Sequence, residues 1–179
     1  TIAAAVGLER VLVGTTEHGA HLLDVGEVRH AGVGHTLIGR LSGAADEGLA
    51  WVAALLTTAG LETATTTHVE PALWGKVIVN AAINPLTALL RVPNGELLST
   101  PERRRLLDRV VDEALAVLAG TGPNLADAGL HARVHTVCLS TASNRSSMLQ
   151  DVLKGRPTEI DAINGALIER AVAAGVATP

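Results

Sequence analysis

Phenylalanine and tyrosine are absent from this chain, and tryptophan occurs only at Trp51 and Trp74, so aliphatic side chains must build any core. A single cysteine, Cys138, excludes an internal disulfide and suits a reducing, cytoplasmic setting. No apolar run reaches the roughly 18 residues of a membrane span, and no leader with charged, apolar and small-residue segments is present. Positive charge is not in excess either. Fourteen Lys+Arg against 18 Asp+Glu give a net charge of −4, so neither a nucleic acid nor an anionic membrane is an expected partner. Lysine is especially scarce: twelve of the fourteen basic residues are Arg, leaving only Lys76 and Lys154.

What is present is apolar and well mixed. With 179 residues, 47% hydrophobic and 18% charged, the composition excludes disorder and allows one large domain or two small ones. The chain starts at Thr1 rather than Met and stops at Pro179, and it reads as an excised piece.

The opening third alternates strand and helix signals, like the end of an α/β sheet domain. A helix tail over Thr1–Leu8 precedes a β-rich run, Arg10–Thr16. Two further runs, Glu27–His30 and His35–Gly39, flank Ala31-Gly-Val-Gly34, which reads as a hairpin turn. Ala44–Ala59 has helical spacing with Gly60 as its stop, and the threonine-rich Leu61–Val69 returns to strand character.

Beyond Glu70 the pattern is helical throughout. Pro71 fits the first turn of a helix over Ala72–Ile83, which Pro85 is expected to break or kink. Ser99-Thr-Pro-Glu102 reads as a capping box opening a helix to about Ala119, ended by Gly120–Pro123. Three more helices are expected: Leu125–Ala142, Ser146–Leu153 with Gly155 as stop, and one from Thr158 to Gly175. The boundary falls near residues 67–70, giving units 1–68 and 69–179.

The most informative segment is Leu73-Trp-Gly-Lys-Val-Ile-Val-Asn-Ala-Ala-Ile-Asn-Pro85. Lys76, Asn80 and Asn84 recur every four residues and share one face of an otherwise apolar helix. Such a stripe is unfavourable to bury unless its groups meet partners or a ligand. A solvent-facing stripe is the alternative, but surface stripes usually carry Glu, Lys or Arg rather than two Asn. Because Arg supplies nearly all the positive charge, a lysine here fits a proton donor, since Lys can give up a proton and Arg cannot. A snorkelling surface lysine is the competing reading of Lys76.

Asn144, Ser147 and Asp151 fall at i, i+3 and i+7, again on one face, although a helix N-cap explains Asn144 or Ser146 equally well. Ser147 has no nucleophile-elbow context, which excludes a covalent serine mechanism. Glu159 lies in a first helical turn, where a carboxylate is favoured by the helix dipole alone. Gly32-Val-Gly34 lacks the third glycine of a dinucleotide fingerprint. His131 and His135 have zincin spacing, but Ala132 stands where the catalytic Glu would be, so no metal is expected. Arg103-Arg-Arg105 reads as a solvated helix face.

Taken together, several stretches resemble ketopantoate reductase (2-dehydropantoate 2-reductase). They are Thr15–Ala20, His30–Gly34, Leu73–Ala88, Pro93–Glu96, Ser146–Asp151 and Gly155–Asp161 through Asn164-Gly165. The resemblance implies the end of a Rossmann-type NADP-binding domain followed by an all-α domain like the C-terminal domain of 6-phosphogluconate dehydrogenase. It implies NADPH-dependent reduction of 2-dehydropantoate to (R)-pantoate, in pantothenate and coenzyme A biosynthesis, by a cytoplasmic enzyme and possible homodimer. Lys76 then matches the general acid, and Asn80, Asn84, Asn94 and Ser147 match substrate-binding positions, with Asn144 beside them. Glu159 matches an acidic residue that meets the cofactor and organises the site, and Ala20 a backbone position next to the nicotinamide.

The family's glycine-rich fingerprint has no counterpart in these residues, so the chain by itself is expected neither to bind NADPH tightly nor to turn over. Two alternatives stand beside this expectation: a paralogue reducing another small 2-keto acid, and a non-catalytic helical interaction module.

Overall fold

The structure is a computed structural model and describes residues 2–122, 125 and 129–179. Two compact units are present, Thr1–Leu73 and Trp74–Pro179.

In the first unit, α1 (Ile2–Val6) and a 3-10 turn (Leu8–Arg10) lead into β1 (Val13–Thr16). β2 (Gly19–Asp24) and β3 (Glu27–Gly32) form an antiparallel hairpin, and β4 (Thr36–Gly39) follows. α2 (Glu47–Thr58) and β5 (Thr63–Thr66) complete the unit, apart from the first residues of α3. The main sheet has the order β1-β4-β5, with β1–β4 antiparallel and β4–β5 parallel. β4–α2–β5 is therefore a βαβ unit, as expected for the end of an α/β sheet.

Its small core is Ile38, Leu49 and Ala53, with Leu12 and Val52 packed against them. Asp46 caps α2 by accepting from Leu49 N at 2.9 Å, and Arg40 forks onto the same carboxylate. That pairing holds the Asp46 carboxyl below its ordinary range and raises Arg40.

The hairpin differs from the sequence expectation. The tight turn is Val25-Gly26, with Gly26 at φ 80°, and it pairs Asp24 with Glu27. Ala31–Gly34 instead leads from β3 of one sheet to β4 of the other. Glycine content marks both segments as turn-like, and only Gly26 sits between two strands of matching register.

The second unit is helical. α3 (Val69–Leu90) begins in the first unit and forms the centre of the second, followed by a 3-10 helix (Asn94–Leu98) and α4 (Pro101–Thr121). α5 (Leu130–Ser140), α6 (Ser147–Leu153), a π-helical turn (Asp161–Gly165) and α7 (Ala166–Ala174) complete it. The expected Leu125–Ala142 helix is present from Leu130; residues 126–128, and Pro123 of the expected stop before it, lie outside the described residues.

Aliphatic side chains fill the core: Ile78, Leu97, Leu107, Val111 and Val134 are fully buried together with Cys138. A satellite cluster of Ala88, Met148 and Leu149 takes Ile160 and Ile163. Trp74 packs at the edge of the main cluster with the Arg170 guanidinium 4.3 Å from its ring centroid.

Two local expectations change. Thr100 rather than Ser99 caps α4, accepting from Arg103 N, because Pro101 takes the first helical position and holds its predecessor extended. Ser99 bonds back to Glu96 instead.

More consequentially, Pro85 does not end its helix: α3 continues to Leu90. At 22 residues it is long and apolar enough, by length and composition, to cross a membrane. Half of its most apolar window is buried inside the protein, where a core helix puts it. Arg91, at φ 55°, closes α3 with Val92 N–H returning to the Thr87 carbonyl at 3.2 Å.

Candidate active site

Lys76, Asn80 and Asn84 lie on α3, and eight residues at 1.5 Å rise place the first and last about 12 Å apart along its axis. Lys76 and Asn80 are half-buried, and Asn84 is 7% exposed. The stripe thus runs from two half-buried residues to a buried one, Asn84, rather than along a fully exposed face. Gly75, beside Lys76, is buried, and a Cβ there would stand 3.0 Å from Arg133 Nη1.

A hydrogen-bond relay ties the Asn84 turn to the start of α6. The Thr87 hydroxyl, fully buried, lies 2.9 Å from the Ile83 carbonyl and 3.0 Å from that of Asn84, which leaves its one proton committed to α3. Thr87 Oγ1 therefore accepts from Ser146, 2.7 Å away. Ser146 Oγ in turn accepts from Leu149 N at 3.1 Å, capping α6. Ser147, exposed, is the first residue of that helix.

The 3-10 helix joins from the other side. Asn94 N donates to the Asn144 carbonyl at 2.9 Å and Gly95 N to the Ala142 carbonyl at 3.1 Å. Glycine at 95 allows this approach, since a Cβ would come within 2.7 Å of Ala142 Cβ. Asn94, 7% exposed, donates from Nδ2 to Thr141 Oγ1 at 2.8 Å, while its Oδ1 is buried without a protein partner.

One hydrogen-bonded link thus runs from the Asn84 carbonyl through Thr87 to Ser146, the residue before Ser147, and a separate backbone bond joins Asn94 to Asn144. Asn144 and Ser147 are exposed, and Lys76 and Asn80 share α3 with Asn84. Glu159 is exposed just before the π-turn, and its carbonyl accepts from Ile163 N at 3.0 Å. Among the described residues no side-chain hydrogen bond ties it to the others. The loop before it is held by Arg156, whose Nε and Nη2 reach Asp151 Oδ1 at 2.9 and 2.5 Å. Ala20 belongs to the first unit, exposed on β2 opposite His30.

Thr87, Ser146 and Thr141 carry the framework, and sequence spacing alone pointed to none of them as connecting groups. Their signal is long-range pairing, which a local pattern does not contain. His131 and His135 serve to join helices, pairing with Asp112 at 3.0 Å and Asp108 at 2.6 Å on α4. Among the described residues no group of three or more His, Cys, Asp or Glu could hold a metal.

Solved structures share the fold. The 2-dehydropantoate 2-reductase of Geobacter metallireducens GS-15 superposes with a TM-score of 0.89, at 27% identity over 98% of this chain and 59% of that one. A complex of D-mandelate dehydrogenase with NADH gives 0.91, at 28% identity over 99% of this chain and 60% of that one. The fold, a short α/β remnant leading into a helical domain, is thus one found in oxidoreductases.

The profile described as "Ketopantoate reductase PanE/ApbA C terminal" matches residues 68–179, and the chain belongs to that family. It is 44% identical to the 2-dehydropantoate 2-reductase of Halobacterium salinarum over 99% of this chain, and 40% identical to that of Archaeoglobus fulgidus over 93%. It spans 58% and 56% of the length of those two relatives.

Proposed function

We propose that these residues form the keto-acid side of a reductase that converts 2-dehydropantoate to (R)-pantoate with NADPH, in pantothenate and coenzyme A biosynthesis in the cytoplasm. Residues 1–68 are then the end of the nucleotide-binding domain and residues 69–179 the substrate domain. The observation that carries this reading is the buried hydrogen-bonded link from the Asn84 turn to the start of α6, at one end of a helical stripe whose other end is Lys76. Its support is the family itself, whose relatives bear the reductase name.

In this reading Asn80, Asn84, Asn94 and Ser147 hold the small hydroxy-keto acid through neutral hydrogen bonds, with Asn144 at the margin. The Lys76 ammonium faces the ketone oxygen, stabilises the negative charge that develops there and delivers the proton that completes the alcohol. Glu159 meets the cofactor and organises the site, and Ala20 lies next to the nicotinamide.

The residues described do not fit the cofactor's pyrophosphate. In β4–α2–β5 the helix N-terminus is already capped by the Asp46 carboxylate, which would repel a phosphate. The chemistry of these residues is therefore binding of the keto acid and delivery of the proton. The reaction as a whole belongs to a protein that supplies the dinucleotide site.

A second reading has its own observation: the likeness to D-mandelate dehydrogenase, also solved with NADH and anilino(oxo)acetate at a TM-score of 0.88, supports a paralogue reducing another 2-keto acid. Initial rates with 2-dehydropantoate and a panel of branched and aromatic 2-keto acids, each with NADPH and with NADH, separate the two. The proposal expects kcat/KM highest for 2-dehydropantoate with NADPH. Preference for an aromatic 2-keto acid would support the paralogue. Equal loss of activity in Glu159→Gln and Glu159→Ala, without loss of stability, would support the role given to Glu159. Sedimentation at micromolar concentration tests the homodimer included in the same proposal.

A further inference from the structure

Pro85 stands inside α3, and having no N–H it leaves the Ala81 carbonyl without the donor that a regular helix supplies from four residues on. Ala81 is 1% exposed, so water is a poor substitute. The missing donor comes from far along the chain: Asn164 Nδ2 lies 3.1 Å from the Ala81 carbonyl oxygen. Only the amide nitrogen can donate there, which fixes the orientation of the side chain. Its Oδ1 is buried with no protein partner, so Nδ2 makes the side chain's hydrogen bond to the protein.

Asn164 sits on the π-turn Asp161–Gly165, a rare wider turn of a kind frequent at functional sites. Ile163, its neighbour, packs against both clusters of the helical unit and anchors that turn.

We infer that Asn164 is a positioning residue for the stripe of Lys76, Asn80 and Asn84: its amide replaces the backbone donor that Pro85 lacks and holds α3 in one line between Asn80 and Asn84. The inference rests on the reading of that stripe as the keto-acid site. Ala81 follows Asn80 directly and precedes Asn84 by three residues, so the bond lies inside the stripe. A proline-centred kink of about 20° acting over one turn of helix would shift one end of the stripe against the other by about 2 Å. A displacement of that order is enough to cost a hundredfold in rate when it separates groups that act on one substrate.

The test is a cycle of Asn164→Ala and Pro85→Ala in the protein as its gene encodes it. Pro85→Ala restores a backbone N–H to the Ala81 carbonyl, so it should remove the need for Asn164. With 2-dehydropantoate as the probe, Asn164→Ala should lower kcat/KM by about tenfold or more, with KM for the keto acid raised and KM for NADPH unchanged. In the Pro85→Ala background the same substitution should cost less than about threefold.

A merely structural role would lower the active fraction and leave both KM values alone, and that result overturns the inference. So does a loss that is the same with and without Pro85. Urea unfolding of the four proteins gives a readout independent of substrate: Asn164→Ala should destabilise less when position 85 is Ala, and additivity there also overturns it. A wild-type protein that reduces no 2-keto acid contradicts the functional reading, and the positioning role falls with it. The urea cycle then still decides whether Asn164 replaces the missing donor.

Discussion

Thr87→Val isolates the relay that joins the Asn84 turn to α6. Valine keeps the shape of the fully buried side chain and removes only the hydroxyl. The Ile83 and Asn84 carbonyls keep their intrahelical donors, so the group left stranded is the Ser146 proton, in a residue 7% exposed. Losing the 2.7 Å bond costs about 1 kcal/mol net, rising towards about 3 kcal/mol if that proton finds no other acceptor. Ser146→Ala removes the same bond and also the cap on Leu149 N, a further ~1 kcal/mol.

In the double variant the bond is lost only once, so the two effects should fall short of additivity by about 1 kcal/mol. Urea unfolding followed by far-UV circular dichroism measures all four proteins. Additivity within about 0.3 kcal/mol, or a Thr87→Val variant as stable as the parent, would refute the relay.

Two other perturbations probe the units separately. Asp46→Asn keeps a good helix cap but loses the ion pair with Arg40. Because the pair lowers the folded-state pKa of Asp46, its stabilisation is present above the unfolded value of 3.8 and is lost as pH falls through the lowered value. The variant should therefore melt below the parent at pH 7, and the gap should close as the pH is taken below about 4; a gap independent of pH contradicts this. Burial pushes the Cys138 thiol up to about 11, so iodoacetamide at pH 8 should label it only when the helical unit opens, at a rate that rises with urea. Prompt labelling of the native protein would contradict the buried placement.

Local chemistry made much of this fold legible beforehand. Helical spacing located α2, Ser146 announced the start of α6, and Gly175, at φ 67°, stops α7 where a glycine was expected to. The four-residue spacing of Lys76, Asn80 and Asn84 likewise survives as one face of one helix. What escaped depends on residues far apart in sequence. Pro85 locally predicts a break or a kink, and α3 continues through it with the donor it lacks arriving from a residue 79 positions later. The Ala31–Gly34 segment and the Val25-Gly26 turn look alike as composition, and only strand register distinguishes them. Around the candidate site the amides were legible as types, whereas the Thr87–Ser146 bond beneath Asn84 and the Thr141 hydroxyl that holds the Asn94 amide span 59 and 47 residues.

Lys76 is the most direct point of attack on the account as a whole. In the protein as its gene encodes it, steady-state oxidation of NADPH with saturating 2-dehydropantoate should fall by about 10²–10⁴-fold in kcat for Lys76→Ala, with KM for the keto acid changed far less. Turnover at the parent rate in that variant would contradict the proton-donor role and, with it, the reading of the stripe as the active site.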